Sequence, residues 1–248
     1  MLVSVVNRSS GRLSDAELQH AIRAVNRQVG DDFQPYWGFG ATLRLEGRSG
    51  AGRRRFTQAD MRGDAVLYVV DGVDVDGAEG FHQSTYPGIP YGIVFLGASE
   101  KLEEDWTVTL SHEALELIAD PEANLLVQGP HPTYPQRRVF HWFEMCDAVQ
   151  TETYSIDGVL VSNFLLPLYF TSGEERGGRN DFLGGGTGRP SLQSFGVNPG
   201  GYIGFYDPRR RRDVTYYAED DAVAARRARI KGRMKTGRGN LRRRRSKG

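Results

Sequence analysis

Cysteine is almost missing from this 248-residue chain. Cys146 stands alone, which excludes an internal disulfide and suits a reducing compartment. No run of eighteen apolar residues occurs, so no stretch reads as a membrane-spanning helix. The opening Met1-Leu2-Val3-Ser4-Val5-Val6-Asn7 lacks both a basic lead and a long apolar core, so it does not read as a secretory signal. The expected compartment is the cytosol, or a particle assembled there. The triple glycine Gly184-Gly185-Gly186 has no preceding strand and no following Gly-Lys-Ser/Thr, which excludes a phosphate-binding loop.

Acidic residues are missing from the last 24 positions, where residues 225–248 carry twelve Lys/Arg. Taking those twelve from the overall net charge of +1 leaves about −11 on the other 224 residues. Such a tail cannot bury a core and is expected to be disordered in isolation. It would gain affinity for phosphate backbones by counterion release. Having no aromatic residue, it is not built to stack on bases. A solubilising tail, one docked on the chain's own acidic body, or an assembly signal fits the same charges.

What is present is a globular composition, with 39% hydrophobic and 10% aromatic residues. Leu2 to Val6 reads as a buried strand. Ser14-Asp15-Ala16-Glu17 reads as a capping box opening a helix, with Leu18, Ile22, Val25 and Val29 on one face. A second strand is expected over Ala41 to Glu46, entered through an extended Asp32-Phe33-Gln34-Pro35-Tyr36-Trp37-Gly38. Gly47 to Arg55 reads as an exposed loop. Ala65 to Asp71 is the clearest strand, apolar enough to be covered on both faces. Acidic Asp71 to Gly80 reads as a loop, and Ile93 to Leu96 as an edge strand after two prolines and two glycines. His82, ahead of it, reads as a turn histidine bonded to backbone, with a reach into a cleft as the alternative.

The chemistry concentrates in Thr107-Val108-Thr109-Leu110-Ser111-His112-Glu113-Ala114-Leu115-Glu116-Leu117-Ile118-Ala119-Asp120-Pro121. The spacing predicts a short, half-buried helix, capped by Asp105 or Thr107 and stopped by Pro121. His112 and Glu116, four apart, share a face, with Glu113 about 100° round the same turn. Two ligands one turn apart can grip one cation, and a neighbouring carboxylate can take a proton from an attacking water. This is the His-Glu-x-x-His layout with glutamate in place of the second histidine. Glu116 adds negative charge, weakens the cation as a Lewis acid and shifts preference toward harder ions. The plain alternative is an amphipathic helix with His112 at the core edge and both glutamates in water.

Downstream, Pro121 to Gln136 reads as a proline-rich loop with a solvated His131. Val139 to Gln150 packs aromatics around Glu144, which suggests a buried acid that is paired or bound to a cation. The competing reading is a salt bridge from Glu144 to Arg137 or Arg138. Thr153 to Val161 reads as a hairpin turning at Asp157-Gly158. Ser162 to Phe170 is expected to pack on the core, Ser172 to Gly201 to be a glycine-rich wrap, and Tyr202 to Tyr206 to add a last strand.

The order strand, helix, strand, strand, edge strand and His-Glu helix resembles the N-terminal half of the zincin metallopeptidases. With Asp32-Phe33-Gln34-Pro35-Tyr36-Trp37-Gly38, Ser111-His112-Glu113-Ala114-Leu115-Glu116 and Ile156-Asp157-Gly158-Val159, the chain is similar to a group of uncharacterised zincin-like bacterial and phage proteins, over residues 1 to about 170. The resemblance implies an α+β, zincin-like fold, with a mixed twisted sheet whose edge strand lies beside the metal-bearing helix. It implies a zincin-like domain at 1–171, a glycine-rich extension at 172–224 and the basic tail at 225–248. It further implies Zn2+ or another divalent cation on His112, Glu116 and Glu144, with Glu113 as general base.

Glu144 lies 28 residues past Glu116, where the gluzincin branch carries a glutamate on a second helix, and Asp147 would orient His112. Gluzincins keep the histidine that this chain lacks. A metzincin-style reading would use Glu122 instead, Asp120 is a third candidate, and Met145 would stand as a Met-turn or as plain core. His141 falls on the face opposite Trp142, and Tyr154 or Tyr169 could steady an oxyanion. The function implied is a metal-dependent hydrolase, a peptidase acting on a peptide or protein, with no membrane partner. The alternative is a catalytically inactive structural or binding protein of a phage-like particle, its tail touching nucleic acid or a partner.

Overall fold

The computed structural model describes residues 1–46, 63–72, 80–85, 88–171, 178–184 and 191–218. The loop expected over Gly47 to Arg55, most of the acidic loop after Asp71 and the basic tail at 225–248 lie outside the described residues. The fold is mixed α+β, with several sheets and few helices. Its described residues fall into two compact units. The first is drawn from Met1–Asp74, Glu79–Ala123 and Tyr154–Val161, the second from Asn124–Thr153 and Ser162–Gly248.

The first unit is built on a five-stranded sheet. Strands β1 (Leu2–Arg8), β2 (Thr42–Leu45), β3 (Ala65–Val70), β4 (Gly80–Ser84) and β5 (Pro90–Phe95) lie in the order β2-β1-β3-β5-β4. All pairings are parallel except β4 with β5. Parallel neighbours need a crossover, and helix α1 (Asp15–Arg27) supplies it between β1 and β2. The expected capping box is present: Ser14 accepts from the Glu17 backbone N–H, and the Glu17 carboxylate accepts from the N–H of Ser14. Leu18, Ile22 and Val25 are fully buried beneath α1, each contributing about 1.5–3 kcal/mol. Asn26 exchanges two hydrogen bonds with the backbone of Leu43 (2.9 and 2.7 Å), so a side chain satisfies part of the open edge of β2.

Two expectations are corrected here. The segment Asp32 to Gly38 is not extended: a π-helical turn (Gln28–Phe33) runs on into a single α-turn, α2 (Gln34–Trp37), which Gly38 ends at φ 74°. Pro35 sits in the first turn of α2, where a missing N–H costs nothing. The edge strand is β4, not the Ile93 segment, which is the inner strand β5. Pro90 is tolerated there because it opens the strand.

Helix α3 (Leu96–Lys101) leads to α4 (Trp106–Ala119), which packs on β5 and β4. The Asp105 side chain caps α4 by accepting from the Thr107 N–H at 2.9 Å. A hairpin of β8 (Thr153–Ile156) and β9 (Val159–Ser162) closes the unit. Asp157 and Gly158 both have positive φ (51° and 80°), as a tight two-residue turn requires. Arg27 holds that turn through Asp157 at 2.6 Å, and Thr107 Oγ1 donates to the Leu160 carbonyl at 2.8 Å.

The second unit carries an antiparallel sheet of β6 (Leu126–Pro130), β7 (Arg138–Trp142), β10 (Tyr202–Asp207) and β11 (Arg212–Tyr217), in the order β11-β10-β7-β6. Its core gathers Ala148, Val149, Leu165, Tyr169, Leu192 and Ile203. Strand β6 forms inside the segment expected to be a loop. His131, expected in water, is buried, its Nδ1 accepting from the backbone of Thr133 and Tyr134. Among the described residues, no helix is long and apolar enough to cross a membrane.

Candidate metal centre

Helix α4 was expected to be half buried, but every residue from Thr107 to Ala119 is buried. The helix is apolar nearly all round, so its polar residues have no wet face to turn to. His112 (4% exposed), Glu113 (4%) and Glu116 (0%) therefore sit inside the protein, and the reading that put both glutamates in water is overturned. One ligand atom from each of these three lies within 4.8 Å of the other two. Nε2 of His112 is 3.2 Å from Glu116 Oε1, the i,i+4 contact that the helical spacing predicts.

A fourth residue joins them from β4. His82 is 0% exposed, and its Nδ1 stands 3.5 Å from Glu116 Oε2 and 3.7 Å from Glu113 Oε2. Its place is not a turn, as the sequence reading had it, but the middle of an edge strand whose other residues are only partly buried. Two glycines make the fit. A Cβ on Gly80 would come within 2.7 Å of Glu113 Cγ and 2.9 Å of Thr109 Cγ2, so β4 lies on α4 only because that atom is absent. Gly92 is the cross-strand partner of His82, and a side chain there would strike Leu67. The signal in the sequence was the single inward position of Gly80-Phe81-His82-Gln83-Ser84, legible only once the strand itself is recognised.

Two carboxylates buried this deeply cost several kcal/mol each unless positive charge or donors compensate them. Glu113 Oε2 is buried and accepts no hydrogen bond from a described residue. One divalent ion would balance both carboxylates while leaving the imidazoles neutral and free to donate lone pairs. Ligands on a tetrahedral ion at about 2.0–2.1 Å stand roughly 3.3 Å apart, close to the 3.2 and 3.5 Å imidazole–carboxylate separations on Glu116. The donor set of buried His and Glu side chains can hold a metal ion.

The other sequence candidates fall elsewhere. Asp120 is buried at the C-terminus of α4, where its backbone N–H donates to the Glu116 carbonyl, and Glu122 is exposed in the next turn. Neither joins a group of three metal-capable donors among the described residues. Glu144 belongs to the second unit and is not on a second helix: it follows β7, with its N–H donating to the Trp142 carbonyl at 3.0 Å. With His141 and Asp147 it lines a cavity of about 10 Å³, room for roughly one water. His141 Nε2 lies 2.8 Å from the Pro130 carbonyl, and burial above all lowers its pKa to about 4. The Tyr154 hydroxyl donates to Asp32 and that of Tyr169 to the Gly196 carbonyl (2.8 Å each), so both phenols are already committed. Met145 is fully buried core.

No family model, no curated protein and no solved structure matches this chain.

Proposed function

We propose that the chain is a metal-dependent hydrolase of zincin-like descent, acting on peptide bonds, with His112 and Glu116 as ligands of a zinc or similar divalent ion and Glu113 as general base. The supporting observation is the burial and convergence of all three side chains on one helix, at the spacing such a centre uses. A bound divalent ion supplies Lewis acidity toward a carbonyl and lowers the pKa of a nearby water. Glu113 holds a carboxylate oxygen with no hydrogen-bond donor on it, ready to take that water's proton and hand it to the leaving amine.

A second reading rests on a different observation. Catalytic zinc sites keep an open position and structural ones are closed, and here four donor side chains are each less than 6% exposed. A closed ion that ties α4 to β4 would use the same donors without turnover. Metal analysis and peptide cleavage by purified variants separate the two. In the hydrolase, His112→Ala loses the metal, whereas Glu113→Gln keeps it and loses cleavage by at least 100-fold, the scale of a general base. Cleavage by Glu113→Gln equal to that of the parent protein would remove Glu113 from the reaction.

A further inference from the structure

The glutamate at position 116 leaves the helix one imidazole short of the two-histidine pattern. From the geometry around β4 we infer that His82 supplies that imidazole, as a direct ligand on the Oε2 side of Glu116. The inference rests on the metal-site reading and holds whether the site turns over or is closed.

Position, chemistry and packing carry it. His82 is the one fully buried residue of β4 and faces the helix turn that bears both glutamates. The two oxygens of Glu116 are divided between imidazoles, Oε1 toward His112 and Oε2 toward His82. An ion held by that carboxylate would then have a nitrogen on either side. A wholly buried histidine on an edge strand has no packing rationale that valine or leucine would not serve better. Two buried carboxylates 3.5 and 3.7 Å away give it an electrostatic one. The missing Cβ atoms of Gly80 and Gly92 let the strand lie close enough to α4 for the ring to reach. With both imidazoles neutral, the charges of one divalent ion and two carboxylates cancel. The ligand set becomes two histidines and one glutamate, softer than the helix motif alone and suited to zinc or cobalt.

A cysteine replacement tests the bonding directly. From Cβ, a thiolate has a shorter arm than imidazole Nδ1 but forms a longer bond to zinc or cobalt (about 2.3 Å against 2.0–2.1 Å), so His82→Cys can reach the same ion. Cobalt-loaded His82→Cys is expected to show a near-ultraviolet thiolate-to-cobalt absorption band that the parent protein lacks, although the parent retains Cys146. His82→Ala should lose cobalt and zinc affinity by more than the roughly 10–100-fold that follows loss of a merely orienting neighbour. X-ray absorption of the zinc-loaded parent protein should count two imidazoles, and this measurement does not depend on any variant folding. Cobalt binding by His82→Cys without the band, or one imidazole in the parent, overturns the inference while the metal site stands. A parent protein that binds neither cobalt nor zinc overturns both.

Discussion

Each unit of this molecule buries a pair of carboxylates, and the two pairs are treated differently. In the second unit, Glu152 and Asp181 are joined by Asn163, whose Nδ2 donates to Glu152 Oε2 at 2.7 Å and to Asp181 Oδ2 at 2.8 Å. Asn198 Nδ2 adds a donor to Glu152 Oε1 at 2.7 Å, and the Gly184 N–H adds one to Asp181 at 3.0 Å. The Asn163 Oδ1 is itself filled by the N–H groups of Phe164 and Leu183. Neutral amides saturate this network, which holds the 163–184 connection to the strand ends. In the first unit, Glu113 and Glu116 face imidazoles rather than amides, and Glu113 Oε2 receives no hydrogen bond from a described residue. Saturated acids build structure; acids left with lone pairs to spare are where a cation can be held.

The sharpest way to break the contrast is to empty the amide network. Replacing Asn163 with leucine leaves two buried carboxylates facing an apolar side chain, and loss of one partner from a buried charged network costs about 3–5 kcal/mol. Denaturant unfolding should show that loss. The zinc response belongs to the other pair and should survive: at about 100 times its dissociation constant zinc adds about 2.7 kcal/mol in the Asn163→Leu protein as in the parent. If zinc instead stabilised the parent but not this variant, the ion would belong to the amide network and the contrast would be reversed.

A second, somewhat smaller effect separates the histidines of the two units. His141 is buried beside Phe195 and Phe205, and burial depresses its pKa to about 4. Since an unfolded histidine titrates near 6.5, the unfolded chain takes up this proton first. The stability that comes from keeping His141 neutral is full above about pH 6.5 and is lost as acid approaches pH 4, about 3 kcal/mol in all. His131 is shifted the same way, by burial first. Unfolding measured between pH 7 and 4 should therefore flatten in His141→Gln. An unchanged slope would show that His141 is not the group that charges.

Much of this was legible in the sequence, and the misses have physical causes. The capping box at Ser14, the continuous apolar run of β3, the Asp157-Gly158 turn and the His112–Glu116 contact depend on local spacing, and local spacing is what a sequence displays. The burial of α4 was underestimated because its two glutamates suggest a wet face, which only tertiary packing removes. Strand β4 escaped notice because glycine, histidine and glutamine are poor strand formers taken singly. Its pairing with β5 is what makes it a strand, and with it His82 becomes part of the site. The aromatic segment before Gly38 was misjudged because Pro35 reads as a breaker, although in the first turn of a helix it is at home.

The smallest expected effect bears on Gly80, which decides how close β4 lies to α4. Alanine there would place a Cβ 2.7 Å from Glu113 Cγ, 2.9 Å from Glu113 Oε1 and 2.9 Å from Thr109 Cγ2, so the Glu113 side chain, the most movable of these neighbours, must swing away. Overpacking of this kind costs about 1–3 kcal/mol, and the lower end applies because a side-chain rotation relieves most of it. Gly80→Ala should thus fold with a loss of about 1 kcal/mol in denaturant unfolding, while its effect on the site is larger in proportion. Displacing Glu113 from His82 and the helix face should lower cleavage more than metal content, since Glu113 acts on the water and not on the ion. Equal loss of both would mean that the glycine positions β4 and His82 rather than Glu113. The ratio of the two readouts therefore assigns the close approach of strand and helix to one residue or the other.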